Sequence, residues 1–342
     1  MAIIFSDGFD AYGDTIGGDL SPTGVMGARG WSADAHKVAS GRIDGYSVFL
    51  RSYDRISLNL DNKEATKIVG CAFYLTKDTD IYGGLTLFEL RDLGITQMAV
   101  KLNSGKRLEV YTGTGLIGTT SQTFDLDAWY YIEFASTIHY TEGSYELMAD
   151  GLTLLSDSNI RTQWSPNSYW EHLSMGLGLV PYYVCKIDDF YIADSTGTHN
   201  NDFLGPIHIE TLFPDGDETS QWSASSGADH YALVDENPAN DTTYLEDGVS
   251  GQRELFDFPE AGSYTTGILA VRTVARVGAT DAEIMEIKPV VTSGSTTDTD
   301  PNAIIVAASP ELVTKVYETD PDTSAPWTLS GFDSAQFGFE VA

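Results

Sequence analysis

The chain has 342 residues, of which 42% are hydrophobic and 11% aromatic, enough to form packed cores and to exclude global disorder. Its 50 acidic residues outnumber the 19 basic ones, giving a formal net charge of −31. Nucleic-acid backbones and anionic membranes require clusters of Lys and Arg, so we expect neither as a partner.

The pattern of the first two hundred residues predicts an all-β structure. Short runs rich in Val, Ile, Tyr, Phe and Thr alternate with clusters of Gly, Asp, Asn and Ser, as is typical of a sandwich or barrel. Asn103-Ser104-Gly105-Lys106 has the chemistry of a hairpin turn. The predicted strands are 46–50, 55–60, 67–75, 85–90, 96–102, 108–111, 129–134, 143–149, 173–178 and 184–194.

The last of these strands, residues 184–194, contains an unusual pair. Apolar and polar residues alternate along it except at Asp188 and Asp189, which are adjacent. Two carboxylates in an apolar strand need a cation, backbone amides or an exposed strand edge to offset their repulsion and lost hydration. Because residues 5–10 also combine aromatics with carboxylates, we predict that the two segments lie side by side and close one sandwich.

A chain of this length also predicts two domains. We expect a first domain at 1–200, a connector at 201–215 containing Pro206 and Pro214, and a second β-domain at 216–342. The longest predicted strand of the second domain is 263–277, and 284–291 is its expected partner. Cys71 and Cys185 lie in apolar runs and are expected to be buried free thiols.

The order of several motifs resembles a known fold. A Trp129-led strand is followed by a strand ending in Asp150-Gly151, a Leu/Gly strand at 173–178 and the Ile-Asp-Asp-Phe-Tyr-Ile run at 187–192. This order resembles laminin-G-like and concanavalin A-like jelly rolls. The resemblance implies an N-terminal concanavalin A-like jelly-roll sandwich, followed by a second, smaller β-sandwich domain.

Motifs along the whole chain are similar to those of tailed-bacteriophage virion proteins. They are residues 5–10, 187–192, 201–206, 214–217, 231–236, 326–328 and 337–338, together with Trp222. The resemblance implies a multi-copy structural protein associated with the phage tail, as fibre, baseplate or tail surface. The alternatives are a glycan-binding receptor-recognition module of the virion and a capsid decoration protein.

The same resemblance implies partners and a location. We expect contacts with other virion proteins, a homo-oligomer in the particle, and a host surface glycan as a candidate ligand. The start at Met1–Phe5 is too short and uncharged for a signal peptide, and no apolar run has the length of a membrane span. The expected location is therefore the virion, assembled in the host cytoplasm.

The sequence lacks familiar catalytic spacings. Glycoside hydrolases of concanavalin-like fold use carboxylates at alternate positions of one strand, whereas Glu89 and Asp92 have the wrong parity for this. There is no Gly-x-Ser-x-Gly elbow and no Cys/His cluster with zinc spacing. We therefore predict a protein without enzymatic activity.

Calcium is the one candidate cofactor. Jelly rolls of this resemblance often hold a structural calcium ion where the first and last strands meet. By position, Asp7, Asp10, Asp188 and Asp189 would be its ligands here. The alternative is that these carboxylates cap turns or face solvent.

A second set of candidates consists of aromatic residues in loop-like contexts. Such side chains stack on sugar rings, but they also plug the ends of sandwiches or bury oligomer contacts. The candidates for a glycan site or an interface are Trp31, Tyr169, Trp170, Tyr182 and Tyr183.

Overall fold

The protein is almost entirely β-structure in a computed structural model that describes residues 2–12, 26, 29–33, 37–51, 54–75, 84–176, 184–236, 241–263, 266–279 and 285–342. Its contacts divide the chain into two compact units, residues 1–209 and 210–342. The boundary lies inside the predicted connector 201–215, so residues 201–209 belong to the first unit.

The first unit is a jelly-roll sandwich of two antiparallel sheets, as predicted. One sheet has the order β13-β12-β11-β6-β15-β4-β3, and β1 also pairs with β15. The second sheet has the order β10-β9-β8-β7-β14-β5-β2. The strands are β1 (Ile3–Asp7), β2 (Trp31–Ala33), β3 (Lys37–Ser40), β4 (Tyr46–Arg51), β5 (Arg55–Asn59), β6 (Thr66–Leu75), β7 (Leu85–Asp92), β8 (Ile95–Leu102), β9 (Leu108–Thr112), β10 (Gly115–Thr119), β11 (Trp129–Thr137), β12 (Gly143–Ala149), β13 (Leu152–Ile160), β14 (His172–Gly176) and β15 (Val184–Asp194).

The apolar positions of these strands meet between the two sheets. On β6, Val69, Cys71 and Phe73 point into this core. The opposite side of the same strand is also buried, because Ile68 and Ala72 pack with residues 203–207. Burial on both sides explains the nearly continuous apolar sequence of β6.

The early and late segments lie side by side, which confirms the prediction. Asp7 is paired with Phe190, and Phe5 with Ile192, in the antiparallel β1–β15 ladder. The β6–β15 register shifts between Asp188 and Tyr191, and Asp189 has φ +50°. The adjacent aspartates therefore occupy a β-bulge, where one extra residue turns both side chains away from the regular alternation.

The second unit contains a six-stranded sheet and two short two-stranded sheets. The six-stranded sheet has the order β16-β19-β25-β21-β22, with β23 also on β21. A short α-helix at Leu329–Asp333 precedes the last strand. The strands are β16 (Gly216–Ser220), β17 (Ser223–Ala224), β18 (Leu245–Glu246), β19 (Arg253–Asp257), β20 (Val271–Val277), β21 (Met285–Ser293), β22 (Thr296–Thr299), β23 (Ile304–Val306), β24 (Glu311–Tyr317) and β25 (Gln336–Val341).

One predicted pairing in this unit is wrong. β20 begins at Val271 rather than 263 and pairs with β24, whereas β21 pairs with β22, β23 and β25. Alternation along a strand shows which residues share a side but does not identify its neighbour.

Two further sequence-based expectations concern the thiols and the membrane. Cys71 and Cys185 are buried and free, as predicted. Among the described residues, no helix has the length and apolar character needed to cross a bilayer.

Candidate functional site

The solvent side of the seven-stranded sheet carries a regular array of polar side chains. Cross-strand pairing places Asn59, His172 and Arg91 in one row, and Ser57, Ser174 and Glu89 in the next. Their sequence neighbours Leu58, Leu173 and Leu90 point into the core. We define the polar face as Arg55, Ser57, Asn59, Thr86, Glu89, Arg91, Thr96, Lys101, Glu109, Tyr111, His172 and Ser174.

His172 lies in the end row of the polar face, in a chain of hydrogen bonds. Its Nδ1 is 2.8 Å from Asn59 Oδ1, and its Nε2 is 3.0 Å from Ser174 Oγ. Burial lowers the pKa of His172, as do the positive charges of Arg91 and Arg55. The imidazole is therefore neutral at neutral pH. Because Asn59 Oδ1 can only accept, Nδ1 carries the hydrogen and Nε2 has the lone pair.

Two arginines, Arg91 and Arg55, lie near this histidine, and Lys101 lies farther along the same side of the sheet. The Arg91 Nη2 donates to the Gly94 carbonyl at 3.0 Å, and the buried Arg91 Nε has no hydrogen-bond partner among the described residues. Arg55 is half exposed, and its contact with Glu89 is long at 3.8 Å. Lys101 lies above the ring of Tyr111. These positive groups can bind carboxylates, although the chain as a whole is strongly acidic.

Tyr111 lies at the border of the polar face, and its phenol is neutral. Its hydroxyl donates to Glu109 Oε2 at 2.7 Å, and this hydrogen bond raises the pKa of Tyr111 to about 12. Glu109 also accepts from the Asn103 side chain at 2.7 Å. The Glu109 charge is therefore engaged locally and is not directed at the centre of the polar face.

Of the four aspartates proposed as calcium ligands, Asp10, Asp188 and Asp189 lie near one another, whereas Asp7 has its own hydrogen-bond partners. Asp7 is buried, and its carboxylate accepts hydrogen bonds from Phe9 N at 2.9 Å, Tyr12 Oη at 2.5 Å and Trp31 Nε1 at 2.9 Å. Three donors already satisfy it. Asp7 therefore fastens the turn after β1 to β2.

Asp189 has its own positive partners. Its Oδ2 is 2.7 Å from Arg42 Nε, and its Oδ1 accepts from His208 Nδ1 at 2.9 Å and from Ile209 N at 2.8 Å. Arg42 also donates to the Ile207 carbonyl. The hydrogen bond with Asp189 raises the pKa of His208 to about 9. The guanidinium of Arg42 and the imidazolium of His208 thus supply the cationic charge that the adjacent aspartates need.

Asp10 and Asp188 complete the local acidic group. The Asp188 carboxylate accepts from the backbone amides of Arg42 and Asp189, and Asp10 accepts from Tyr46 N. Burial raises the pKa of Asp188 to about 8, and the charge of Asp189 adds to this. We define Asp10, Arg42, Asp188, Asp189 and His208 as the bulge cluster.

These contacts do not fit a calcium ion shared by all four aspartates. The oxygens of Asp7 and Asp189 are occupied by protein donors, and Arg42 stands against Asp189, where a metal ion would be repelled. Among the described residues, no group of three or more His, Cys, Asp or Glu side chains is arranged to hold a metal ion.

The aromatic candidates also need correction. Trp31 and Trp170 are buried in the core, where their ring nitrogens donate to Asp7 and Ser136, so neither can stack on a sugar. They plug the sandwich, which was the alternative reading of the sequence. Tyr169 is partly exposed and lies near the ammonium groups of Lys63 and Lys67. Tyr182 and Tyr183 lie outside the described residues.

The residues of the polar face were not predicted from the sequence. Alternate polar residues in β5, β7 and β14 were visible in the sequence, but the cross-strand register that places His172 beside Asn59 and Arg91 was not. Arg42 and His208 were missed because both lie in loops without regular patterning, 147 and 19 residues from Asp189.

Comparison with known proteins gives matches to solved structures alone. No protein-family model matches the chain, and no curated protein sequence matches it either. The similar structures include alginate lyase Aly36B, with 10% identity, a TM-score of 0.44, and coverage of 57% of this chain and 98% of that one. The marine PL-14 alginate lyase from Aplysia kurodai has 10% identity, a TM-score of 0.43, and coverage of 56% and 99%.

A third similar structure is the conserved carbohydrate esterase from Shiga toxin-encoding bacteriophage phi24B. It has 16% identity, a TM-score of 0.36, and coverage of 51% of this chain and 94% of that one. These low values give neither a substrate nor a mechanism for this chain.

The comparisons contradict two predictions from the sequence. The similar structures are mainly polysaccharide lyases, with sialidases and a carbohydrate esterase among them, so the prediction of a non-enzymatic structural protein is corrected. One of them comes from a phage. The resemblance to tailed-phage virion proteins, and the partners and location that it implies, stay predictions.

Proposed function

We propose that the protein acts on an acidic polysaccharide that binds along the polar face. The observation that carries this proposal is the Asn59–His172–Ser174 hydrogen-bond chain, with Arg91 paired across the strand from His172. It combines a neutral base with a neighbouring cation on one side of the sheet, where His172 is partly exposed and Ser174 is buried. A polymer of uronic acids supplies the matching chemistry, because each sugar unit has a carboxylate and an acidic C–H bond beside it.

The reaction that suits this arrangement is β-elimination. Arg91 or Arg55 pairs with the carboxylate of the sugar, which makes the adjacent C5 hydrogen more acidic. The buried Ser174 side chain changes rotamer and frees the lone pair of His172 Nε2, which then takes the C5 proton. The electron pair of that bond forms the C4=C5 double bond while the C4–O bond breaks. The leaving oxygen takes a proton from water, and His172 gives its proton to the hydroxide that remains, so the base is regenerated and the step needs no oxidant or reductant.

The test is an elimination assay with purified protein. Alginate, glucuronan and a neutral glucan are incubated separately, and the ultraviolet absorbance of the unsaturated uronate is recorded. Replacing His172 with Ala removes the base, so we expect the rate to fall by about 10²-fold or more. Arg91→Ala should also slow the reaction, because the carboxylate loses its cation.

Arg107→Ala is the matched control, since this exposed arginine lies in the β8–β9 turn outside the polar face. It should keep the wild-type rate. Full activity in His172→Ala would exclude the base role. If none of the acidic polysaccharides is bound or cleaved, the proposed function is wrong.

A further inference from the structure

Away from the polar face, an arginine lies between two exposed aromatic rings. The Arg161 guanidinium carbon is 4.7 Å from the Tyr140 ring centre and 4.1 Å from the Trp164 ring centre. Tyr140 is 59% exposed and Trp164 is 41% exposed, whereas Trp31 and Trp170 are buried. We define Tyr140, Arg161 and Trp164 as the aromatic clamp.

The protein holds Trp164 in this exposed position. Its backbone amide donates to Gln97 Oε1 at 2.6 Å, and its Nε1 donates to Thr112 Oγ1 at 2.8 Å. The ring also lies against Gly113, where a Cβ atom would come within 2.7 Å of it. A larger residue at position 113 would displace the ring, so the glycine permits this close approach. The clamp is therefore preorganised.

Arg161 lacks the close carboxylate partner that three other arginines of this chain have. Arg42, Arg253 and Arg276 each lie within 2.7 Å of a carboxylate. Arg161 donates from Nε to the Gln163 carbonyl at 3.0 Å, and no ion pair to it is found among the described residues. In a chain with 50 acidic residues, an exposed guanidinium fixed between two rings is available to an external anion.

We infer that the aromatic clamp is a second binding site, for carboxylate-bearing sugar units of an acidic polysaccharide. The terminal nitrogens of Arg161 form a planar fork that matches both oxygens of a carboxylate. Tyr140 offers an exposed ring against which the sugar ring can stack. The ligand class rests on the proposed function, but the clamp shares no residue with the polar face. Its role is to hold a polymer without contacting the reacting bond.

Binding is measured by tryptophan fluorescence and calorimetry on the full chain. The probes are an alginate oligosaccharide, a neutral cello-oligosaccharide of equal length, and sodium acetate. We expect the uronate oligomer alone to bind and to change the emission of the exposed Trp164. Arg161→Gln should weaken binding to the clamp about tenfold, which corresponds to ~1.4 kcal/mol. Arg161→Lys should weaken it similarly, because an ammonium cannot form the fork.

The controls separate this inference from the proposed function. Arg107→Gln should leave the affinity unchanged, and thermal melts establish that each variant is folded. Tyr140→Ala, which keeps Arg161, should also weaken binding.

If Arg91→Ala alone abolishes binding while all clamp variants bind normally, the clamp is not a site and the polar face stands. If the clamp variants lose binding while Arg91→Ala and His172→Ala change neither binding nor cleavage, the clamp stands and the proposed function fails. An equal response to acetate would reduce the clamp to an anion site and overturn the sugar assignment.

Discussion

The carboxylate of Asp7 accepts hydrogen bonds from one backbone amide and two aromatic side chains, Tyr12 and Trp31. We expect Asp7→Asn to destabilise the first unit by about 2–3 kcal/mol, because an amide group turns one acceptor into a donor and leaves buried polar groups unpaired. Urea unfolding measures the change. Asp125→Asn, at an exposed position, is the control and should lie within about 0.5 kcal/mol of wild type.

The same experiment also tests the calcium prediction. If Asp7 were a calcium ligand, the stability of the wild type would fall on adding a chelator, and Asp7→Asn would abolish that response. From the hydrogen bonds observed, we expect Asp7→Asn to lose the same amount of stability, relative to the wild type, with and without the chelator. A chelator-dependent loss would show that the site reorganises around a metal ion.

Individual residues also show how far the sequence predicts the site. Adjacent carboxylates at 188 and 189 correctly indicated a need for cationic charge or backbone amides. The structure supplies both, through Arg42 and through the amides of Arg42, Asp189 and Ile209. The identity of the cation could not be predicted, because Arg42 is 147 residues away from Asp189 and lies in a turn without regular patterning.

The contact between β6 and β15 depends on a glycine, Gly70, which has no side chain. A Cβ atom on Gly70 would lie 2.1 Å from the Tyr191 ring. Tyr191 crosses this glycine to donate to Glu133 Oε1 at 2.5 Å. We expect Gly70→Ala to cost about 1–3 kcal/mol, because the ring must move and its buried hydrogen bond is disturbed. Calorimetric melting of the full chain measures this cost.

Gly115→Ala is the matched control for Gly70→Ala. Gly115 lies on the edge strand β10, and its nearest atom to an added Cβ is 3.6 Å away, an ordinary contact. It should melt close to wild type. If both variants melt alike, the Tyr191 ring has freedom to shift, and the β6–β15 contact is less tightly packed than we infer.

Most of the strands could be predicted from the sequence, whereas the pairing between them could not. Alternation identified β7, β9 and β12, in which buried and less buried residues largely alternate, whereas β8 and β11 each have four consecutive buried residues. The pairing of β1 with β15 could be predicted from their shared aromatic and acidic composition. No such signal marked β24 as the partner of β20, or the register that assembles the polar face. Register follows from three-dimensional packing.

Because the chain has a large excess of acidic residues, the protons bound by its buried side chains contribute to the stability of the fold. His208 faces Asp189, Asp44 and Asp10; its Nε2 is 3.0 Å from Asp44 Oδ1, although not aligned for a hydrogen bond. The folded pKa of His208 is raised from 6.5 to about 9, so its stabilisation is fully present below pH 6.5 and is lost through about pH 9. Asp188 acts in the same direction, since burial raises its pKa from 3.8 to about 8.

The free energy of unfolding should therefore fall as the pH rises from 6.5 to 9, with up to about 3 kcal/mol contributed by His208. Lys67 opposes this trend above about pH 8, because burial lowers its pKa from 10.5 to about 8. Urea unfolding at several pH values should show a flatter profile for His208→Gln than for wild type, and His199→Gln should retain the wild-type profile. If added calcium makes the dependence of the unfolding free energy on pH flat, the compensating charge at the bulge cluster belongs to a metal ion instead. A bound cation would then replace the protons of His208 and Asp188.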